Sequence, residues 1–138
     1  MTYFFDRCVA ITVAGIIKAL ERADEVIYRD DKFNKRTPDT EWLRTIASWD
    51  EKPIVISGDT RILTRPDEAA ELAKGNLMFF CLAPGWTNIP FEDYPWKFLK
   101  AWANIKLAIR ENRRPTIFKV FCGKSFKVER LRLTQDHR

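Results

Sequence analysis

Three apolar runs stand out along the chain: Tyr3-Phe4-Phe5, Ile54-Val55-Ile56 and the stretch from Leu77 to Leu82. Short runs of this kind, closed by polar turn signals, predict strands covered on both faces. Helical periods fill the gaps between them. Val9, Val13, Ile16, Ile17 and Leu20 repeat at helical spacing over residues 9–22. The segment EVIY (25–28) predicts a short strand, and RDDKFNKR (29–36) a charged loop. Two helix starts follow one pattern. Thr37 can cap a helix with Pro38 at its first position and Asp39 in its first turn; Thr64 and Pro66 repeat the arrangement, with Gly75 placed to end that helix. APGWTNIP (83–90) reads as a turn-rich loop and residues 93–112 as a long helix. TIFKVF, CGKS and FKVERLRL then read as strand, turn and strand.

Strands alternating with helices predict an α/β fold, a mainly parallel sheet with helices on both faces, closed by a C-terminal β-hairpin. With 138 residues the chain suits a single domain, its core over about residues 3–112 and a basic segment over 113–138. Hydrophobic residues make up 46% of the chain, which argues against disorder. No apolar run reaches membrane-span length, and the start of the chain lacks a signal-type pattern, so a cytoplasmic protein without membrane attachment is expected.

Charge and rare residues narrow the chemistry. From Arg113 onward there are eight Lys/Arg and two acids, against 16 basic and 17 acidic residues before it. Such a basic end suits a phosphate-facing surface or a solubilising tail. Cys8, Cys81 and Cys122 are odd in number, widely spaced and set among apolar residues, which predicts buried free thiols. The single histidine, His137, sits one residue from the end. Zinc chemistry and histidine triads are therefore not expected.

Carboxylates remain. The first run ends at Asp6 and the second at Ser57-Gly58-Asp59, so two predicted strands surface in an acid. Open parallel sheets bind ligands at the carboxyl ends of their strands, near the switch in strand order, which puts Asp6 and Asp59 in one neighbourhood. A third acid joins by helical geometry. At about 100° per residue, Asp39 falls within the stripe of Trp42, Leu43, Ile46 and Trp49, whereas Glu41 falls opposite. A carboxylate facing a core needs a cation, backbone donors or a metal. Three aspartates without histidine or cysteine form a hard oxygen site suited to Mg²⁺ or Mn²⁺. Arg7, Lys32, Lys35, Arg36 and Arg61 lie on the same loops and can hold phosphates.

FFD closing the first strand, TPDTEWL opening a helix and VISGDTRIL closing a later strand resemble, as an ordered set over about residues 3–110, a PIN-like domain of the compact VapC-type toxin group. FFCLAPGW fits the same group. The resemblance implies a PIN-like three-layer fold and a metal-dependent ribonuclease acting on RNA. It also implies an antitoxin partner that restrains it. By motif, Asp6, Asp39 and Asp59 match the family's catalytic, metal-holding acids. The helical glutamate that larger PIN domains carry between the first and third acids has no clear match; Asp30 or Asp31 could stand in, and Asp31 is kept as a further metal ligand. Arg7, Lys32, Arg36 and Arg61 are the candidate RNA-phosphate contacts. That missing acid leaves a rival from another class: an inactive PIN-like module that binds RNA or protein. A phosphoacceptor receiver reading ranks lower, because Arg7 and Cys8 follow Asp6 where receivers carry paired acids. CGKS lacks the upstream glycine of a phosphate-binding loop and precedes a strand pattern, so it reads as a turn. On the long helix, Phe98, Trp102, Ile105 and Ile109 form one stripe and Trp96, Leu99, Ala103 and Leu107 another. One is expected on the sheet and the other under the C-terminal hairpin, or else at a homodimer or antitoxin contact.

Overall fold

The computed structural model describes residues 1–112 and 114–132. One sheet contains β1 (Thr2–Phe5), β2 (Glu25–Tyr28), β3 (Ile54–Ser57), β4 (Phe79–Leu82), β5 (Ile117–Val120) and β6 (Val128–Leu131). Its spatial order is β2-β1-β3-β4-β5-β6. The first five strands are parallel and β6 pairs antiparallel with β5, as the alternation of runs predicts. The helices are α1 (Ile11–Leu20), α2 (Arg29–Lys32), α3 (Asp39–Ala47), α4 (Arg61–Thr64), α5 (Pro66–Gly75) and α6 (Tyr94–Glu111), with a 3₁₀ turn at Pro84–Asn88.

Every residue of β1, β3 and β4 is buried, because their alternating side chains feed two separate cores. Tyr3, Phe5, Ile54, Ile56, Phe80 and Leu82 pack against α1 and α6. Phe4, Val55, Phe79 and Cys81 pack on the other face with Trp42, Leu43, Ile46, Ile62 and Leu72 from α3, α4 and α5. The result is three layers, helices over sheet over helices. Phe4 stacks on Trp42 with ring centroids 5.2 Å apart. Burying a side chain of this size stabilises by about 1.5–3 kcal/mol. That contact fastens α3 to β1 two residues before Asp6.

Several local expectations change. The charged segment after β2 coils into the single turn α2 rather than staying a loop. Thr37 does not cap: α3 begins at Asp39, and the Thr37 carbonyl accepts a hydrogen bond from Arg29 Nη2 at 2.7 Å. Pro66 opens α5 and Gly75 closes it as expected, but Thr64 ends the separate turn α4, because Arg65 precedes Pro66 and is held extended. Thr64 Oγ1 turns back onto the Arg61 carbonyl. Gly75 is the last helical residue, and Asn76 makes the left-handed stop at φ 52°. Of the three thiols only Cys81 is buried; Cys8 is exposed in the turn after β1 and Cys122 is half-buried. The hairpin docks on α6 through Asn104, whose Nδ2 donates to the carbonyls of Ser125 and Phe126. It therefore leaves Trp96, Leu99 and Leu107 exposed instead of covering them. His137, Arg113 and the end of the FKVERLRL strand lie outside the described residues.

Candidate active site

Strand order reverses at β1: β2 lies on one side and β3 on the other, so the switch point falls between the carboxyl ends of β1 and β3. Phe5 aligns with Ile56, and the Asp6 N–H continues the ladder by donating to the Ile56 carbonyl at 2.9 Å. Asp6 and Ser57 thus leave the sheet side by side. Ser57 is fully buried and joins both strand-end acids. Its Oγ donates to Asp6 Oδ2 at 2.8 Å and accepts from the Asp59 N–H at 3.1 Å. Gly58 lets the β1–α1 turn press in: a Cβ there would lie 3.2 Å from the Cβ of Cys8.

The acids differ in what holds them. Asp6 is buried, and among the described residues its Oδ1 accepts only the Arg7 N–H, at 2.7 Å. Burial raises its carboxyl above the ordinary range, and Asp39 adds to the rise, against the Ser57 hydrogen bond and a weaker pull from Arg29. Burial also works to raise Asp59. There it is overcome by Arg61, which donates from its backbone N–H at 3.0 Å and from Nε and Nη2 at 2.9 and 3.3 Å, and the carboxyl sits below the ordinary range. Asp39 is half-buried and accepts the Trp42 indole N–H at 2.7 Å. Glu41 faces solvent.

Glu68 was not foreseen. It lies in the first turn of α5, buried, with the charge of Asp39 acting on it and its Oε2 3.6 Å from Arg65 Nη1. Burial first, then Asp39, lifts its carboxyl above the ordinary range against a weaker pull from Arg65, and among the described residues its Oε1 has no hydrogen-bond partner. A sequence signal existed: Glu68, Leu72 and Gly75 share one helical stripe, as Asp39 does on α3. Arg29 was also missed. It is fully buried after β2, with Nη1 on Asp30 at 2.9 Å and Nη2 on the Thr37 carbonyl. No periodicity marks it. Asp30 is thereby engaged. Asp31, Lys32, Lys35 and Arg36 are exposed, and none makes an ion pair or side-chain-donated hydrogen bond among the described residues.

A cavity of about 310 Å³ opens beside Asp59, walled by Cys8, Thr60, Arg61, Trp86, Thr87 and Tyr94. Arg7 borders an adjoining cavity of about 300 Å³ that shares Cys8, Trp86 and Tyr94. The Cys8 sulfur, though at the exposed rim, is desolvated by the turn around it. That and the charges of Asp6, Asp59 and Asp39 push the thiol up to about 12, so it is no thiolate nucleophile. Burial pushes the Tyr94 hydroxyl up to about 12 as well, which keeps it a hydrogen-bond donor. Among the described residues, no three His, Cys, Asp or Glu side chains meet closely enough to chelate one ion as they stand. Each aspartate is already engaged, by Ser57 and Arg7, by Trp42, or by Arg61.

Fold and site together define an α/β protein that carries acids, two of them buried strand-end aspartates, at the switch point of a mainly parallel sheet. The family model described as PIN like domain matches residues 1–84, a span holding Asp6, Asp39, Asp59 and Glu68. The chain therefore belongs to the PIN-like domain family. PIN-like domains are generally nucleases. No curated protein and no solved structure matches the chain. Among the described residues, no helix is long and apolar enough to cross a membrane.

Proposed function

We propose that this chain is an Mg²⁺- or Mn²⁺-dependent endoribonuclease of the VapC type, a single-domain cytoplasmic toxin restrained by an antitoxin. The observation that carries the reading is the switch-point cluster itself: two acids, Asp6 and Glu68, lifted by burial, one of them with an orphaned oxygen. Buried carboxyls short of partners are what a hard divalent cation satisfies, and Asp6, Asp39, Asp59 and Glu68 are the donors that would hold it. Such an ion supplies charge stabilisation at a phosphodiester. The rest falls to this chain's own residues. Ser57 orients Asp6 against Asp59, and the Trp42 indole orients Asp39. Arg61 and Arg7, at the cavity mouths, neutralise substrate phosphate. The exposed stripe of Trp96, Leu99 and Leu107 is the surface suited to an antitoxin or a second copy.

A second reading has its own support, because Arg61 already occupies Asp59 and, among the described residues, no three acids lie close enough to hold one ion. In that reading the chain is an inactive PIN-like module that binds RNA. RNA cleavage with and without Mn²⁺, comparing the intact protein with Asp59→Asn, separates the two. Metal-dependent cleavage lost in the variant is the expected result. Binding without cleavage in both proteins overturns the nuclease in favour of the module.

A further inference from the structure

At the opposite end of the sheet, where β4 and β5 begin and β6 ends, lies a cleft of about 530 Å³. Its lining holds three arginines, Arg114, Arg130 and Arg132, with Asn76 and Thr116, and contains no acid. All three arginines are exposed, and none forms an ion pair among the described residues. Among the described residues only Arg130 has its side chain held, donating to the Asn112 side chain at 2.9 Å. Arg130 and Arg132 are alternate residues of one strand end, so they project from the same side of it. The last turn of α5 reaches the cleft through Leu72 and Ala73. Its carbonyl end contributes only about half a negative charge, far less than three guanidinium groups carry. Arg114, Arg130 and Arg132 all lie outside the span matched by the family model.

We infer that this arginine cleft is a second nucleic-acid site, binding the phosphodiester backbone of a single strand away from the carboxylates. Guanidinium forks match phosphate oxygens in pairs, and three of them without intervening acids suit a repeating anion. The four-residue strands place the cleft roughly 13 Å or more from the switch point, at about 3.3 Å per residue. The cleft therefore anchors a flank of the strand rather than the bond that is cut. The inference rests on the nucleic-acid reading above, but not on catalysis.

The test measures binding of a fluorescent uridine 20-mer in EDTA across a salt series. It compares the intact protein with R114A/R130A/R132A and with the control K97A/K100A/R110A, which removes equal charge from α6. Three lost phosphate contacts reduce the salt slope by about 2, since each single-strand contact contributes about 0.7. Between about 50 and about 200 mM salt, intact protein should then lose about twentyfold more affinity than the arginine variant. A deoxythymidine 20-mer should show the same slope change, because the backbone phosphate is common to both. Equal slope changes in the two triple variants, or no binding by the intact protein, overturn the cleft. So does polyglutamate displacing the RNA at matched charge, which would make the cleft a site for acidic peptides. An R114K/R130K/R132K variant, which keeps charge and loses the fork, should keep the salt slope and bind more weakly than the intact protein; a slope reduced as far as in the alanine variant overturns the phosphate contacts. A changed slope with no Mn²⁺-dependent cleavage supports the cleft and sinks only the nuclease. An unchanged slope with intact cleavage does the reverse.

Discussion

Ser57→Ala removes one oxygen from the middle of the site. The hydroxyl is fully buried, donates to Asp6 Oδ2 at 2.8 Å and accepts the Asp59 N–H at 3.1 Å. A hydrogen bond to a charged acceptor contributes about 1.5–3 kcal/mol, and an orphaned buried donor costs about 1–3 kcal/mol. Asp6 keeps the Arg7 N–H, and Asp59 has some access to water, so the lower half of each range applies. The expected loss is about 3 kcal/mol near neutral pH. An unfolding entropy of about 2.1 cal/mol/K per residue converts this to a melting-temperature drop of about 10 °C for a chain of 138 residues. The loss should also depend on pH. Asp6 already sits above the ordinary range, and the Ser57 hydrogen bond is what opposes that rise, so the variant lifts it further. The intact protein then gains extra stability from ionising Asp6 before the variant does. That advantage is complete above the variant's lifted value and vanishes as pH falls through the intact protein's own folded value. Urea unfolding near neutral and in acid reads both quantities, provided the m-values match. A loss below about 0.5 kcal/mol, or one of equal size at both pH values, would refute the bridging role. Ser48→Ala, at an exposed hydroxyl, should stay within about 0.5 kcal/mol.

Glu68→Gln should stabilise the protein near neutral pH. Its raised carboxyl means that the unfolded chain releases this proton first, so stability falls as pH rises between the two values; the gain in the variant should disappear in acid, as read by melting over about pH 4 to about pH 8. Arg29→Met should cost about 2–3 kcal/mol in urea unfolding. That is less than a fully buried pair, because the Asp30 side chain is 26% exposed and the substitution also removes the unpartnered Nε. A variant as stable as the parent would show the arginine to be dispensable. Gly75→Ala places a Cβ 2.9 Å from that of Ala47, where α5 crosses α3, and should destabilise by about 1–2 kcal/mol after the helix gain of about 1 kcal/mol. Gly15→Ala, with nothing within 4 Å, should instead stabilise by about 0.5–1 kcal/mol; the same sign for both would contradict the close approach.

The sheet was legible because apolar runs and helical periods are separate signals, and β1, β3 and β4 are continuous runs for the reason that two helix layers cover them. Asp6 and Asp59 were legible as acids that end such runs. Asp39 was legible from a helical wheel. Glu68 obeys the same wheel, but its stripe contains only Leu72 and Gly75 in a ten-residue helix, too faint to mark a buried acid. Arg29 left no trace, because its burial comes from β2 and the Thr37 carbonyl closing over it, a tertiary event. The capping hydroxyls of Thr37 and Thr64 misled for a related reason. Arginine took the first residue's carbonyl, and the proline after Arg65 fixed the second boundary by backbone sterics alone.

The unequal treatment of the acids bears on how such a site would work. Environments that push paired carboxyls apart assign them different jobs. Asp59 is kept ionised by a guanidinium whose own side chain is 63% exposed, and Arg61 is correspondingly raised. An ion pair with one partner in water is weak and readily exchanged. Asp6 feels only a weak pull from Arg29, and Arg65 reaches Glu68 only at 3.6 Å, so burial wins at both and they hold their protons to higher pH. Under the nuclease reading, a substrate phosphate would compete for Arg61 and free both Asp59 oxygens, and Asp6 and Glu68 would have to release their protons before they could hold a cation. Cation affinity must then rise with pH through their lifted values, because protons leave as the ion binds. Mn²⁺-induced shifts in melting temperature should grow from acid to neutral pH in the intact protein. In Arg61→Ala the shift should be larger at every pH, because Asp59 no longer has a resident cation. A smaller shift in that variant would mean that Arg61 builds the site rather than guards it.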